Sequence, residues 1–106
     1  MKVLLDEMLP AAVAGLLPDH AVVMVRTAGY TGLLNGELMR RAVADGYDVL
    51  VTADRNLPAQ QNVTASGIAV VLVRGSRMAD IEPQAARTRA AVAEVRPGTV
   101  TRVESG

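Results

Sequence analysis

Val49-Leu50-Val51-Thr52-Ala53-Asp54 is an apolar run that ends on an acid, and Val3-Leu4-Leu5-Asp6-Glu7 repeats the pattern near the start of the chain. Each run is short, rich in Val and Leu, and followed by a helical pattern. Strands read this way when helices cover both faces of a parallel sheet, because no position along them faces water. Their acids then stand at the carboxyl ends of the strands, the edge at which open α/β sheets bind ligands. Two strands delivering negative charge to one rim point to a cation site.

Working outward from these runs, strand and helix patterns alternate along the whole chain. A strand over Lys2–Leu5 precedes a helix over Leu9–Leu17, with Pro10 tolerated in its first turn. Pro18-Asp19-His20 turns the chain into a strand over Ala21–Val25. Arg26–Leu34, holding Gly29 and Gly32, is a loop long enough to suggest a purpose. Asn35 caps a helix from about Gly36 to Asp45, which Gly46 closes. Asp48–Thr52 is the next strand, and Asn56 caps a shorter helix through Leu57, Pro58 and Gln61. Ile68–Val73, the most continuous apolar run, reads as a central strand. The loop Arg74-Gly75-Ser76-Arg77 follows it. Glu82 to about Arg96 reads as a helix offering Ala85, Ala86, Val92 and Val95 to the core, ended by Pro97-Gly98. Thr99–Val103 alternates and makes a terminal edge strand. Repeated βα units require right-handed crossovers, so the fold expected is a three-layer α/β/α sandwich with a mainly parallel sheet of about five strands. Residues 1–106 read as a single domain.

Composition narrows the function. Half of the residues are hydrophobic but only Tyr30 and Tyr47 are aromatic, so the core is aliphatic. Nothing reads as a membrane span or a secretory leader, and the absence of cysteine removes disulfides, thiolate zinc sites and cysteine nucleophiles together. A cytoplasmic protein is the expectation. Zero net charge argues against a broad electrostatic nucleic-acid binder. The charge is unevenly spread: residues 1–54 carry −3, while residues 55–106 carry +3 and use arginine as their only base. An acidic half beside an arginine half suits a metal centre flanked by phosphate contacts, although solvated surface arginine explains the second half equally well.

On the expected fold, Asp6, Glu7, Glu37, Asp54 and Asn56 all lie in strand-to-helix connections and so on one rim. His20 lies in a helix-to-strand turn at the opposite end. Acids converging without histidine or cysteine favour a hard cation with oxygen ligands, Mg²⁺ or Mn²⁺, over zinc. Such an ion activates water and stabilises charge on a phosphodiester, so the expected reaction is metal-assisted phosphodiester hydrolysis. Arg55, Arg74 and Arg77 fall on the same rim and are candidate RNA phosphate contacts, since guanidinium forks match phosphate oxygens. Tyr30 either stacks on a base or covers the core.

The segments Leu4-Leu5-Asp6-Glu7-Met8-Leu9-Pro10, Asn35-Gly36-Glu37-Leu38 and Val51-Thr52-Ala53-Asp54-Arg55-Asn56-Leu57 resemble the small PIN-like proteins, relatives of the VapC-type toxin ribonucleases. The resemblance covers roughly residues 1–75. It implies a parallel sheet, divalent-metal-dependent ribonuclease activity and acids gathered at the strand ends. Asp6, Glu37 and Asp54 stand where the family has metal-binding acids. Asn56 stands where many relatives have a fourth aspartate, and Met8 where many have asparagine. Asn35 occupies a position often acidic in the smaller branch, which leaves open whether Asn35 or Glu37 marks the second acid. Glu7 is an alternate or supporting ligand. As the toxin of a toxin–antitoxin module, the chain implies a cognate antitoxin seated in the acidic crevice; a homodimer is compatible.

Duller readings compete at each residue. Asp6, Glu7 and Asp54 also suit a strand end or a turn, Glu37 suits the positive end of its helix, and Asn35 and Asn56 suit helix caps. Two rival functions remain beside the nuclease. A catalytically weak PIN-like RNA-binding or interaction module fits the departures at Met8 and Asn56. A receiver-like phosphoacceptor domain shares the acids but needs a lysine on the same rim, and Lys2, the only lysine, starts the first strand.

Overall fold

The computed structural model describes residues 1–103. Five strands, β1 (Lys2–Leu5), β2 (Ala21–Met24), β3 (Val49–Thr52), β4 (Ala69–Leu72) and β5 (Val100–Arg102), form one all-parallel sheet in the order β2-β1-β3-β4-β5. Leu4 lies opposite Leu50, and Thr52 opposite Leu72. Successive side chains alternate between faces, so each interior strand feeds two cores. Val3, Leu5, Val49, Val51, Ala69 and Val71 enter one; Leu4, Leu50, Val70 and Leu72 enter the other. That double burial is why these strands read as unbroken apolar runs.

Helices cover both faces, as expected for a three-layer α/β/α sandwich. The 3-10 turn Ala11–Leu16, α4 (Met78–Ile81) and α5 (Ala85–Ala93) pack on the first core through Val13, Ile81 and Val92. On the second, α1 (Asn35–Ala44), α2 (Leu57–Gln60) and α3 (Val63–Ser66) pack through Leu38, Met39, Ala42, Leu57 and Val63. The connection leaving β1 therefore crosses one face and goes to β2, while the connection leaving β3 crosses the other and goes to β4. At the carboxyl ends of β1 and β3 the two connections therefore diverge. This is the switch point at which doubly wound sheets bind ligands.

Several local expectations give way. Leu9–Leu17 is not an α-helix but a six-residue 3-10 turn, Ala11–Leu16, which Pro10 precedes. Gly15 weakens an α-helical continuation and Pro18 bars extension, so the segment keeps only its spacing of Leu9, Val13 and Leu17 into the core. The helix expected from Glu82 to about Arg96 is instead the 3-10 turn Glu82–Gln84 followed by α5, which ends at Ala93, and the separate α4 precedes them. Pro83 lacks an N–H and its ring obstructs the carbonyl four residues back, which forces the break. Ala86 is exposed rather than in the core, Ala85 is half-buried, and Val92 and Val95 pack inward. The interior strand β4 is one place from the edge; β3 is the middle of the sheet. β5 is an edge strand, as its alternation suggests. No helix among the described residues is long and apolar enough to cross a membrane.

Candidate metal centre at the carboxyl edge

Asp6 leaves β1 with its main-chain N–H still donating to Val51 O (3.0 Å), so the sheet ladder itself fixes where this residue starts. Alternation turns Asp6 to the same face as Leu4, and Thr52 to the same face as Leu50. They meet there: Thr52 Oγ1 donates to Asp6 Oδ2 at 2.5 Å. The same oxygen accepts the main-chain N–H of Asp54 (3.1 Å) and lies 3.8 Å from Met8 Sδ. Thr52 is fully buried, while Asp6 and Asp54 are half-buried. A buried hydroxyl thus links the Asp6 carboxylate to the main chain of Asp54.

Asp54 organises the loop beyond β3. Its Oδ1 accepts the N–H of Asn56 (3.0 Å) and its carbonyl accepts that of Leu57 (3.2 Å), which starts α2. Its Oδ2 accepts from Asn35 Nδ2 at 3.2 Å. Asn35 therefore does not cap α1. Leu34, in extended conformation, occupies the cap position, and its carbonyl accepts the N–H of Leu38 (2.8 Å). The Asn35 amide reaches across to the acid instead. Nor does the Asn56 side chain cap α2: its backbone is helical, at φ −86° and ψ −14°, so the aspartate two residues earlier takes that part.

The remaining predicted residues are placed as follows. Glu37, in the first turn of α1, pairs with Arg40 one turn on at 2.5 Å, both side chains well exposed. Glu7, Arg55 and Asn56 are exposed in the loops after β1 and β3. Arg77 pairs with Asp80 at 3.4 Å, and the main chain of Arg74 is bonded to Gln84. Among the described residues no three acids stand close enough together to enclose an ion. Asp6 and Asp54 share Thr52 as a partner, the first through its carboxylate and the second through its main-chain N–H; Glu37 stays with its helix. Tyr30 is 2 % exposed and its hydroxyl donates to Asp45, so it covers the core and presents no face to a base. His20 sits in the turn before β2, at the far edge, as its position in the sequence indicates.

Thr52 is the residue that sequence reasoning passed over. The quoted Val51-Thr52-Ala53-Asp54 contained it, and the signal was present: a hydroxyl in a strand otherwise of Val and Leu, in phase with the acid two residues on. The donors to Asp6 and Asp54 are a hydroxyl, a side-chain amide and a main-chain N–H, all neutral. Among the described residues neither carboxylate forms an ion pair. At the other end of the sheet, Lys2 Nζ donates to Asp45 O (2.8 Å) and lies 4.2 Å over the Tyr47 ring, so the single lysine is remote from the acids.

A scan against protein-family models found no match, and searches of curated proteins and of solved structures found none either.

Proposed function

We propose that this chain is a divalent-metal-dependent endoribonuclease of the cytoplasm, with Mg²⁺ or Mn²⁺ held between β1 and β3 by Asp6 and Asp54. One observation carries the reading: at the switch point of a doubly wound sheet Thr52 bonds the Asp6 carboxylate and the Asp54 main chain, and both carboxylates are oriented by neutral donors alone. The donor set fits a hard cation, which takes one or two carboxylates and completes its shell with water and substrate oxygens. Among the described residues Asp6 accepts a hydrogen bond on Oδ2 only, and each Asp54 oxygen accepts one, so lone pairs remain on both acids. An ion bound there supplies an activated water and charge stabilisation on the phosphodiester. Thr52 fixes the Asp6 carboxylate and the Asp54 main chain, while Asn35 holds the Asp54 side chain. Glu37 adds a third carboxylate only by leaving Arg40, a cheap move because an exposed pair contributes about 0–1 kcal/mol.

A second reading, a PIN-like module that binds RNA or a protein without cleaving, is favoured by one feature: both Asp54 oxygens and the Glu37 carboxylate already have partners within the chain. Titration with Mn²⁺ followed by incubation with RNA separates the two. The nuclease reading expects stoichiometric metal binding and metal-dependent cleavage, both lost in Asp54→Ala and in Asp6→Asn. RNA binding with neither metal uptake nor cleavage selects the module. In the toxin role, expression arrests growth and Asp6→Asn relieves it; equal toxicity of both forms rejects that role.

A further inference from the structure

The two edges of the sheet are guarded differently. β5 is three residues long and carries Thr101 and an exposed Arg102. A short strand with a charge on it discourages further pairing. β2, at the other edge, is Ala21-Val22-Val23-Met24, with no charge, no proline and an unbroken register against β1. Val22 and Met24 pack on the first core and Val23 on the second, yet all three are only half-buried, as is neighbouring Leu16. Every residue of β3 and β4, by contrast, is buried.

The main chain of this edge is open as well. Ala21 N–H donates to Met1 O (3.1 Å) and Val25 N–H to Leu5 O (2.9 Å). Alternation along the strand therefore turns Ala21, Val23 and Val25 toward β1, and Val22 and Met24 away from it. The Met24 carbonyl accepts the Ala28 N–H (2.9 Å), which leaves the Val22 N–H and C=O and the Met24 N–H without a neighbouring strand among the described residues. His20 donates its N–H to Leu17 O (3.2 Å), while its carbonyl takes no main-chain N–H. The charges that flank the strand are likewise unanswered. Asp19 precedes β2 and Arg26 follows it; both are exposed, and neither side chain forms a hydrogen bond or ion pair among the described residues. Arg89 lines the same recess as Asp19, about 300 Å³ in volume, without pairing to it.

We infer that β2 pairs antiparallel with β2 of a second copy of this chain, about a two-fold axis at Val22, and joins the two sheets edge to edge. That register uses the open groups and no others. Val22 exchanges both main-chain bonds with Val22 of the other copy, and each Met24 N–H meets the other copy's His20 carbonyl. It also sets Arg26 of one copy opposite Pro18 of the other, one residue from Asp19, so that opposite charges meet at both ends. A parallel pairing would set Asp19 against Asp19 and Arg26 against Arg26. Self-complementarity in bonding groups and in charge is what selects a second copy over a foreign strand. A contact of this size makes a weak dimer. The inference is independent of the nuclease reading. The paired strands run in opposite directions, so the two carboxyl edges point away from each other and each copy keeps its own Asp6 and Asp54 uncovered.

The test is sedimentation velocity of the intact chain from low micromolar to near-millimolar concentration. A monomer–dimer equilibrium is expected, with no larger species. Asp19→Arg and Arg26→Asp, both exposed changes, each weaken self-association several-fold at low salt, because like charges then meet at both ends. Mixed together, the two variants regain the native affinity, since each supplies the charges that the other lacks. Val22→Pro removes an outward N–H and spares the ladder to β1, so it abolishes the dimer; should it fail to fold by circular dichroism, the charge variants decide alone. A monomer at every concentration, or growth into open-ended assemblies, overturns the inference. So does an association indifferent to both charge reversals, a mixture that fails to recover, or a dimer lost in Arg102→Pro and kept in Val22→Pro.

Discussion

The two ends of the sheet both carry hydrogen-bonded polar networks, but they are balanced differently. At the amino edge, Asp48 accepts the main-chain N–H of Lys2 (2.8 Å) and Asp45 accepts the Tyr30 hydroxyl. The Lys2 ammonium stands over Tyr47, and the Arg41 guanidinium lies 5.6 Å from the centre of the Tyr30 ring. Cations and aromatic rings close this end within the chain. At the carboxyl edge, Asp6 and Asp54 are held by neutral donors, and no cation of the described chain answers their charge. The acids at both ends are held by neutral donors, but only at the amino edge do cations and aromatic rings stand beside them.

Substitutions that dismantle each network sharpen the contrast. The largest effect is expected from Thr52→Val, which keeps shape but strips one partner from Asp6 and one from the Asp54 N–H. Leaving such groups unpaired costs about 1–3 kcal/mol each, so a loss of roughly 3 kcal/mol follows, a drop in melting temperature on the order of 10 °C. Mn²⁺ affinity falls with it. An unchanged melting curve in calorimetry contradicts the bridging role.

At the amino edge, Tyr30→Phe removes a bond to a carboxylate that water can partly replace, and about 1 kcal/mol is expected. This end also predicts alkaline sensitivity. Burial, reinforced by the hydrogen bond to Asp45, pushes the Tyr30 phenol from 10.0 up to about 12, and burial raises Tyr47 as well. The folded protein therefore keeps these protons after the unfolded chain has lost them. The stability they contribute is intact below pH 10.0 and lost as the pH rises through about 12. Tyrosinate absorbance, free of tryptophan in this chain, should titrate late in the native protein and at the ordinary value once unfolded. Early titration of both rings refutes the burial argument.

Thr88 on α5 supplies the counter-case, a fully buried hydroxyl with no partner among the described residues. Thr88→Val exchanges it for a methyl of the same shape and should be neutral or stabilising by up to about 1 kcal/mol, the reverse of Thr52→Val. Destabilisation in urea melts shows that the hydroxyl has a partner after all.

How much of this was legible beforehand depended on the range of the interaction. β1 was readable to the residue and the other strands to within one or two, because two-sided burial writes itself as contiguous Val and Leu. The rim was legible too, since topology alone sends strand-end acids to one edge. Helix ends were less so. Asn35 and Asn56 have the right chemistry for caps, but a tertiary bond to Asp54 claims the first, and helical backbone at the second puts its side chain out of reach. α3 was overlooked although Asn62, which accepts the Ala65 N–H (3.1 Å), and Gly67 in left-handed conformation mark both of its ends. Glu37 shares the rim, yet its carboxylate pairs with Arg40 on its own helix, a choice that spacing does not disclose.

The tyrosine pair has an optical consequence. The rings stand edge to face with centroids 6.1 Å apart, and they are the chain's only strong near-ultraviolet chromophores. Near-ultraviolet dichroism of the native protein is therefore a gauge of the amino edge alone, and the carboxyl ends of β1 and β3 are dark to it. Leu34, 82 % exposed and next to Asn35, is where a single indole could be installed to give that edge a signal of its own.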